Sequence, residues 1–220
     1  MTREVHCADA LVWLREKGIL PGCSFITSLP DISEVPHLRT VEAWSRWFVD
    51  AARTVLACVP EEGVAIFYQS DVKKAGVWVD KGFLVSRAAQ EEGFETVWHK
   101  IVCRKPPGTL THGRAAYAHL LCFSRGVKLD LSRALPDVLA DGGPSVWTRG
   151  MGVEACRLAC RFVLQSTQTR TVVDPFCGKG SVLAVANDMG LSAVGVELSA
   201  KRARWARNLT VADMMGPAPS

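Results

Sequence analysis

Apolar positions along the chain follow two rhythms, short β-branched runs and longer stretches that recur every three or four residues, and the two alternate. Residues 5–9 (Val-His-Cys-Ala-Asp) read as a strand ending in an acid, and Ala10–Lys17 as the helix after it, closed by Gly18. Cys23–Thr27 is the next strand and runs straight into Ser28-Leu29-Pro30-Asp31. Over residues 40–59, Val41, Trp44, Trp47, Phe48, Ala51, Val55 and Leu56 recur at helical spacing, so a long amphipathic helix is expected there. Residues 63–68 read as a buried strand that ends in Gln69-Ser70-Asp71. A helix over 84–92, a strand over 94–103 and its hairpin partner over 117–123 follow. Residues 130–144 have the Leu, Pro and Gly mix of a connector, and a helix is expected over 153–164. The pattern closes with a strand at 171–174, a helix opened by Ser181 as its cap, a strand at 193–196 and a basic helix over 201–207.

Composition narrows this picture only in part. At 220 residues with 48% apolar content the chain suits one sizeable core better than two domains. No apolar run reaches the ~18 residues of a membrane span, and Met1-Thr2-Arg3-Glu4-Val5-His6 lacks the apolar stretch of a secretory signal, so an intracellular protein is expected. Eight cysteines are scattered without any Cys-x-x-Cys and read as buried thiols. Cys156 and Cys160 share a helix face, but nothing at compatible spacing completes a metal site, and no metal is expected. The net charge of +4 is compatible with a nucleic-acid partner without demanding one.

The chemistry concentrates in Asp174-Pro175-Phe176-Cys177-Gly178-Lys179-Gly180-Ser181 and in the second acid, Glu197, at the end of the following strand. Glu197 comes roughly 20 residues after Asp174, the spacing at which a βαβ unit offers a carboxylate to ribose hydroxyls. A dinucleotide fingerprint needs a third small residue where Leu183 stands, and a Walker loop needs Gly-Lys-Ser without the intervening Gly180. An acid opening the loop also opposes a polyphosphate and suits a cation. The sulfonium and ammonium groups of S-adenosyl-L-methionine meet that requirement.

Asp-Pro-Phe-Cys-Gly-Lys-Gly-Ser resembles the first motif of S-adenosylmethionine-dependent methyltransferases, in the form carried by amino-methylating DNA and RNA enzymes (Asp-Pro-Phe-Cys-Gly-Ser-Gly-Thr). Its place near the carboxyl end resembles the permuted order of the β-type DNA N4-cytosine/N6-adenine methyltransferases. The resemblance implies a class I methyltransferase-like α/β fold, a doubly wound seven-stranded sheet that is mostly parallel with one antiparallel hairpin, circularly permuted. Cofactor contacts are then expected from Ser28, Asp174, Pro175, Phe176, Cys177, Gly178, Gly180, Ser181, Glu197 and Leu198. Asp9, within Ala8-Asp9-Ala10, matches an acid near the adenine in relatives, and Thr148 lies where relatives cover the methionine end.

In the same reading Ser28-Leu29-Pro30-Asp31 stands where relatives carry Ser-Pro-Pro-Tyr, whose first side chain and next carbonyl orient an amino group while the ring stacks on a flipped base. Ser28 and Pro30 match; Leu29 and Asp31 depart, and Asp31 removes the ring. Asp31 would then bind the substrate or take a proton from it, and Trp44 or Trp47, otherwise core residues, would supply a stacking surface. Gln69 and Ser70 share the rim with Ser28, and the basic, proline-stiffened loop that holds Arg104, Lys105 and Arg114 is either a phosphate-binding loop or a solvated one. The basic helix over 201–207 has the same two readings, with a solvated face ahead.

A single domain is implied, with a catalytic half over 1–125, a connector over 126–152 and a cofactor half over 153–220, and without a separate target-recognition domain. Selectivity must then come from loops, from substrate shape, or from a partner subunit or second copy, which leans toward structured RNA over duplex DNA. The function implied is methylation of a base amino group in nucleic acid. Methylation of a small molecule or protein, and an inactive cofactor-binding subunit, remain the alternatives.

Overall fold

The structure, a computed structural model, describes residues 1–74, 76–133, 135–147 and 150–216. In chain order its strands are β1 (Arg3–His6), β2 (Cys23–Thr27), β3 (Ala65–Gln69), β4 (Val72–Lys74), β5 (Val77–Val79), β6 (Glu95–Cys103), β7 (Tyr117–Ser124), β8 (Val138–Leu139), β9 (Thr171–Asp174) and β10 (Ser192–Val196). All but β4 and β5 join one eight-stranded sheet of order β1-β10-β9-β2-β3-β7-β6-β8. Within it β7 runs against its neighbours, antiparallel to both β3 and β6. The other pairings of this sheet are parallel. Parallel strands need covering on both faces, and the near-continuous burial of β2 and β3 shows that they have it.

Two apolar layers provide the cover. On one face Phe25, Phe67, Phe123 and Val173 meet α1 (Ala10–Lys17), α2 (Val41–Leu56) and α3 (Lys81–Glu91). On the other, Ile26, Ile66, Leu120 and Val172 meet α4 (Val153–Ser166) and α5 (Ser181–Asp188), with α6 (Ala200–Asn208) and α7 (Val211–Met215) contributing Ala203, Ala206 and Met214. Consecutive residues of β2 and β3 thus serve opposite layers, as the period of a strand requires. Cys156 and Cys160 are buried within the α4 layer.

The structure corrects several expected elements. The sheet has eight strands rather than seven, because β8, inside the stretch read as a connector, adds a two-residue parallel edge to β6 at Ile101 and Val102. The separate hairpin of β4 and β5 was not anticipated, its three-residue strands being too short for alternation to register. The first strand ends at His6, and Asp9 caps α1 instead, accepting from the N–H groups of Leu11 and Val12. Helix α3 begins at Lys81, ahead of the expected start, because Asp80 accepts from the Phe83 N–H at 2.8 Å. Ser181 is not a cap: Gly180 occupies that position in left-handed conformation and Ser181 is the first residue of α5. Among the described residues no helix is long and apolar enough to cross a membrane.

Candidate active site

The carboxyl ends of β9, β10, β1 and β2 converge on one rim, where chain order reverses direction across the sheet between β9 and β2. That is where a sheet of this kind leaves a crevice. Asp174, the last residue of β9, is buried, and its Oδ1 accepts from Thr27 Oγ1 of β2 at 2.6 Å and from the Phe176 N–H at 3.2 Å. Burial pushes the Asp174 carboxyl up to about 7, Glu197 adds to the rise, and the two hydrogen bonds only partly oppose it. The loop then turns back on β10 through a bond from the Cys177 N–H to the Val196 carbonyl. Gly180 is required twice over, by its φ of 92° and because a Cβ there would lie 2.7 Å from Ala206 Cα of α6. Glu197 follows β10, and its Oε1 accepts from the Ser199 N–H at 2.7 Å and pairs with Arg202 at 3.0 Å.

These acids open on a cavity of about 500 Å³. The size is right for a nucleoside-bearing ligand, since small-molecule sites commonly measure ~300–1,000 Å³. Of the expected cofactor residues, Asp9, Ser28, Asp174, Pro175, Phe176, Cys177, Gly178, Ser181, Glu197 and Leu198 line it. Gly180 shapes the loop without lining the cavity, and Thr148 lies outside the described residues. The sequence reading missed Val35, His37, Met151 and Arg202 on the walls, and Thr27 beneath them. Trp47 also lines the cavity, whereas Trp44 is fully buried against Phe48, so the helical pattern that grouped the two rings concealed a difference in role.

Ser28, Leu29 and Pro30 form part of the same wall, bringing the segment expected to be catalytic onto the cavity that holds the expected cofactor residues. Asp31 points away from it into a separate ionic cluster. Its Oδ2 meets Lys81 Nζ at 3.2 Å and Arg114 at 3.1 Å, while its Oδ1 accepts from the N–H and hydroxyl of Ser33. Burial alone would raise the Asp31 carboxyl, but Lys81, the Ser33 N–H and Arg114 together hold it below the ordinary carboxylate value. In this arrangement Asp31 is a counter-ion with both oxygens engaged and a weak proton acceptor.

The expected substrate residues divide. Arg104 reaches Ser70 Oγ at 2.9 Å and, like Arg114, turns inward, while Lys105 stays exposed on the rim. Gln69 is 1% exposed, and neither atom of its amide has a partner among the described residues. It sits opposite His119 across β3 and β7. The next acid, Asp71, is a hub: it accepts from the Lys81 N–H at 2.8 Å and from Trp78 Nε1 at 3.0 Å, and meets His119 Nε2 at 3.0 Å.

No family model and no curated protein matches the chain. Solved structures do. A putative DNA modification methylase from Thermus thermophilus superposes with a TM-score of 0.69 at 20% identity, over 93% of this chain and 92% of that one. The same methylase in complex with S-adenosyl-L-methionine gives 0.68 at 19% identity, over 94% and 93%. The cytosine-N4-specific PvuII DNA methyltransferase gives 0.71 at 17% identity, over 95% and 87%. The fold is that of these DNA methyltransferases. At such identities the likeness establishes the architecture, and what the site does must be argued from its own residues.

Proposed function

We propose that the protein is an S-adenosylmethionine-dependent methyltransferase acting on an exocyclic amino group of a base in nucleic acid. One observation carries this reading: Asp174 and Glu197, at the ends of adjacent strands, share a single cavity with Ser28, Leu29 and Pro30. A buried carboxylate without a cationic partner among the described residues, beside an acid placed for hydroxyl groups, fits a ligand with an ammonium at one end and a ribose at the other. Bound there, S-adenosyl-L-methionine would supply an electrophilic methyl group. Ser28 Oγ and the Leu29 carbonyl then accept hydrogen bonds from the substrate amino group and fix the direction of its lone pair. Asp31 holds the loop that carries them through Lys81 and Arg114.

The strand order supports the permuted reading. β9 and β10 lie at the carboxyl end of the chain yet sit in the sheet between β1 and β2. The residues 1–125 and 153–220 therefore interleave in one sheet, in keeping with a single domain. The solved structures named above are described as DNA methylases, and they give no support to the expected lean toward RNA. The polymer is best decided by experiment. Labelled methyl from S-adenosylmethionine should enter DNA or RNA; incorporation into a protein extract alone would replace the nucleic-acid substrate. The second reading, a small-molecule or protein substrate, draws on the missing stacking ring at Asp31.

A further inference from the structure

Beyond Ser28, Leu29 and Glu34, which it shares with the main cavity, a cleft of about 30 Å³ opens toward Tyr68 and Ser70 and is walled by Lys81, Arg104 and Arg114. We propose that this cleft is a subsite for an oxyanion, and that the oxyanion is the phosphodiester next to the base being methylated. The proposal rests on the nucleic-acid reading above and adds the feature that anchors the strand.

Charge balance is the first reason. Two of the cations that wall the cleft, Lys81 and Arg114, converge on one acid, Asp31. Lys81 and Arg114 share a single carboxylate oxygen, Asp31 Oδ2, and lie close enough for their charges to oppose one another. The Lys81 side chain is only 3% exposed, so water does little to relieve that repulsion. Glu34 already accepts the Asp31 N–H at 3.0 Å as half of a capping box. An incoming oxyanion would restore the balance that one carboxylate shared by Lys81 and Arg114 leaves incomplete.

Rigidity and size are the others. Asp71 anchors the Lys81 backbone, Arg104 is tied to Ser70, and the Arg114 backbone bridges to Val72 of β4, so the cations are in position before a ligand arrives. About 30 Å³ is room for roughly two waters. The two unesterified oxygens of a phosphodiester replace two waters, whereas a nucleobase does not fit. Because Ser28 and Leu29 line both spaces, an anion seated here lies beside the reacting position, and a base turned into the main cavity would bring its own phosphate with it.

The test begins with sulfate as the probe. At low-millimolar concentration and matched ionic strength, where the general stabilising action of sulfate is negligible, sulfate should raise the melting temperature of the wild-type protein above its value in chloride, and the rise should saturate. Lys81→Gln and the more exposed Arg114→Gln should each abolish that excess while leaving the affinity for S-adenosylmethionine unchanged, and Asp31→Asn should enlarge it. Sulfate should also compete with a single-stranded oligonucleotide, whose binding should weaken about 10-fold in either Gln variant. An oligonucleotide with neutral methylphosphonate linkages should escape that loss. Equal melting temperatures in sulfate and chloride, or an excess that survives in both Gln variants, would overturn the subsite. An excess without competition by phosphodiester oligonucleotides would overturn its assignment to nucleic acid. Failure of S-adenosylmethionine to bind, by contrast, would sink the methyltransferase reading and leave the sulfate result standing.

Discussion

Asp174, the last residue of β9, and Asp31, in the loop that follows the neighbouring β2, are both buried aspartates, yet the protein treats them in opposite ways. Among the described residues only neutral donors reach the Asp174 carboxylate, a hydroxyl and a backbone N–H, and its proton affinity rises to about 7. Around Asp31 a lysine and an arginine converge, and its proton affinity falls below the ordinary value. Burial costs each of them; what differs is who provides the compensating cation. The protein provides it at Asp31, so that acid is part of the framework. At Asp174 no cation is in reach among the described residues, which is why we propose that a ligand supplies it.

Removing the framework acid should therefore have the largest effect. Asp31→Ala would leave Lys81 buried without its counter-ion, and a loss of about 3–5 kcal/mol in urea unfolding is expected, the usual cost of breaking a buried pair from one side. Asp31→Tyr restores the aromatic found in the resembling family and sharpens the comparison. Here it should abolish methyl transfer rather than improve it, because a ring gives Lys81 and Arg114 no charge to hold. Undiminished turnover in that variant would return Asp31 to the status of a turn residue.

Effects on the cofactor side should appear in binding before they appear in stability. Glu197→Ala should weaken S-adenosylmethionine by about 1.5–3 kcal/mol, measured by titration calorimetry, since a charged acceptor is lost. Asp174 makes a pH prediction. Its folded value lies above its unfolded value of 3.8, so the ligand-free protein holds a proton that the unfolded chain has released. Its contribution is present below about pH 4, declines as the pH rises toward 7 and is constant beyond. A cationic ligand prefers the ionised acid, so affinity should climb about 10-fold or more between pH 5.5 and 7 and then level off. Asp174→Asn should bind weakly with that climb gone. A flat profile in the wild type would mean that Asp174 already has a partner.

The asymmetry also explains what the sequence revealed. The proposed cofactor side is local in the chain: Asp174, the glycines and Glu197 follow one another within a strand-turn-helix-strand unit, so spacing alone assembles them. The proposed substrate side is assembled from distant segments. Lys81 comes to Asp31 from across α2 and the β4–β5 hairpin, and Arg114 from the far end of a loop that reads equally well as solvated. A basic residue at the start of a helix gives no sign of where its ammonium will go, and an ion pair leaves no periodicity. The fold was legible for the same reason as the cofactor loop, since long apolar strands and helices carry their own pattern; β8 and the β4–β5 hairpin, only two and three residues per strand, do not.

The smallest expected effect separates the inward cations from the outward one. Lys105 lies in the same basic loop as Arg104 and Arg114 but is exposed and outside the cleft. If it touches nucleic acid at all, it does so as a single screened surface charge, and Lys105→Ala should lower oligonucleotide affinity uniformly across sequences and reduce the salt slope by about one. Arg114→Gln should cost more, because its partner in the cleft is desolvated and its own charge is held in place by Asp31. Side-by-side salt titrations of the two variants measure the difference directly. If Lys105→Ala equals or exceeds Arg114→Gln, the strand runs over the outer loop and not through the cleft, and the contrast between a protein-compensated and a ligand-compensated acid loses its functional meaning on the substrate side.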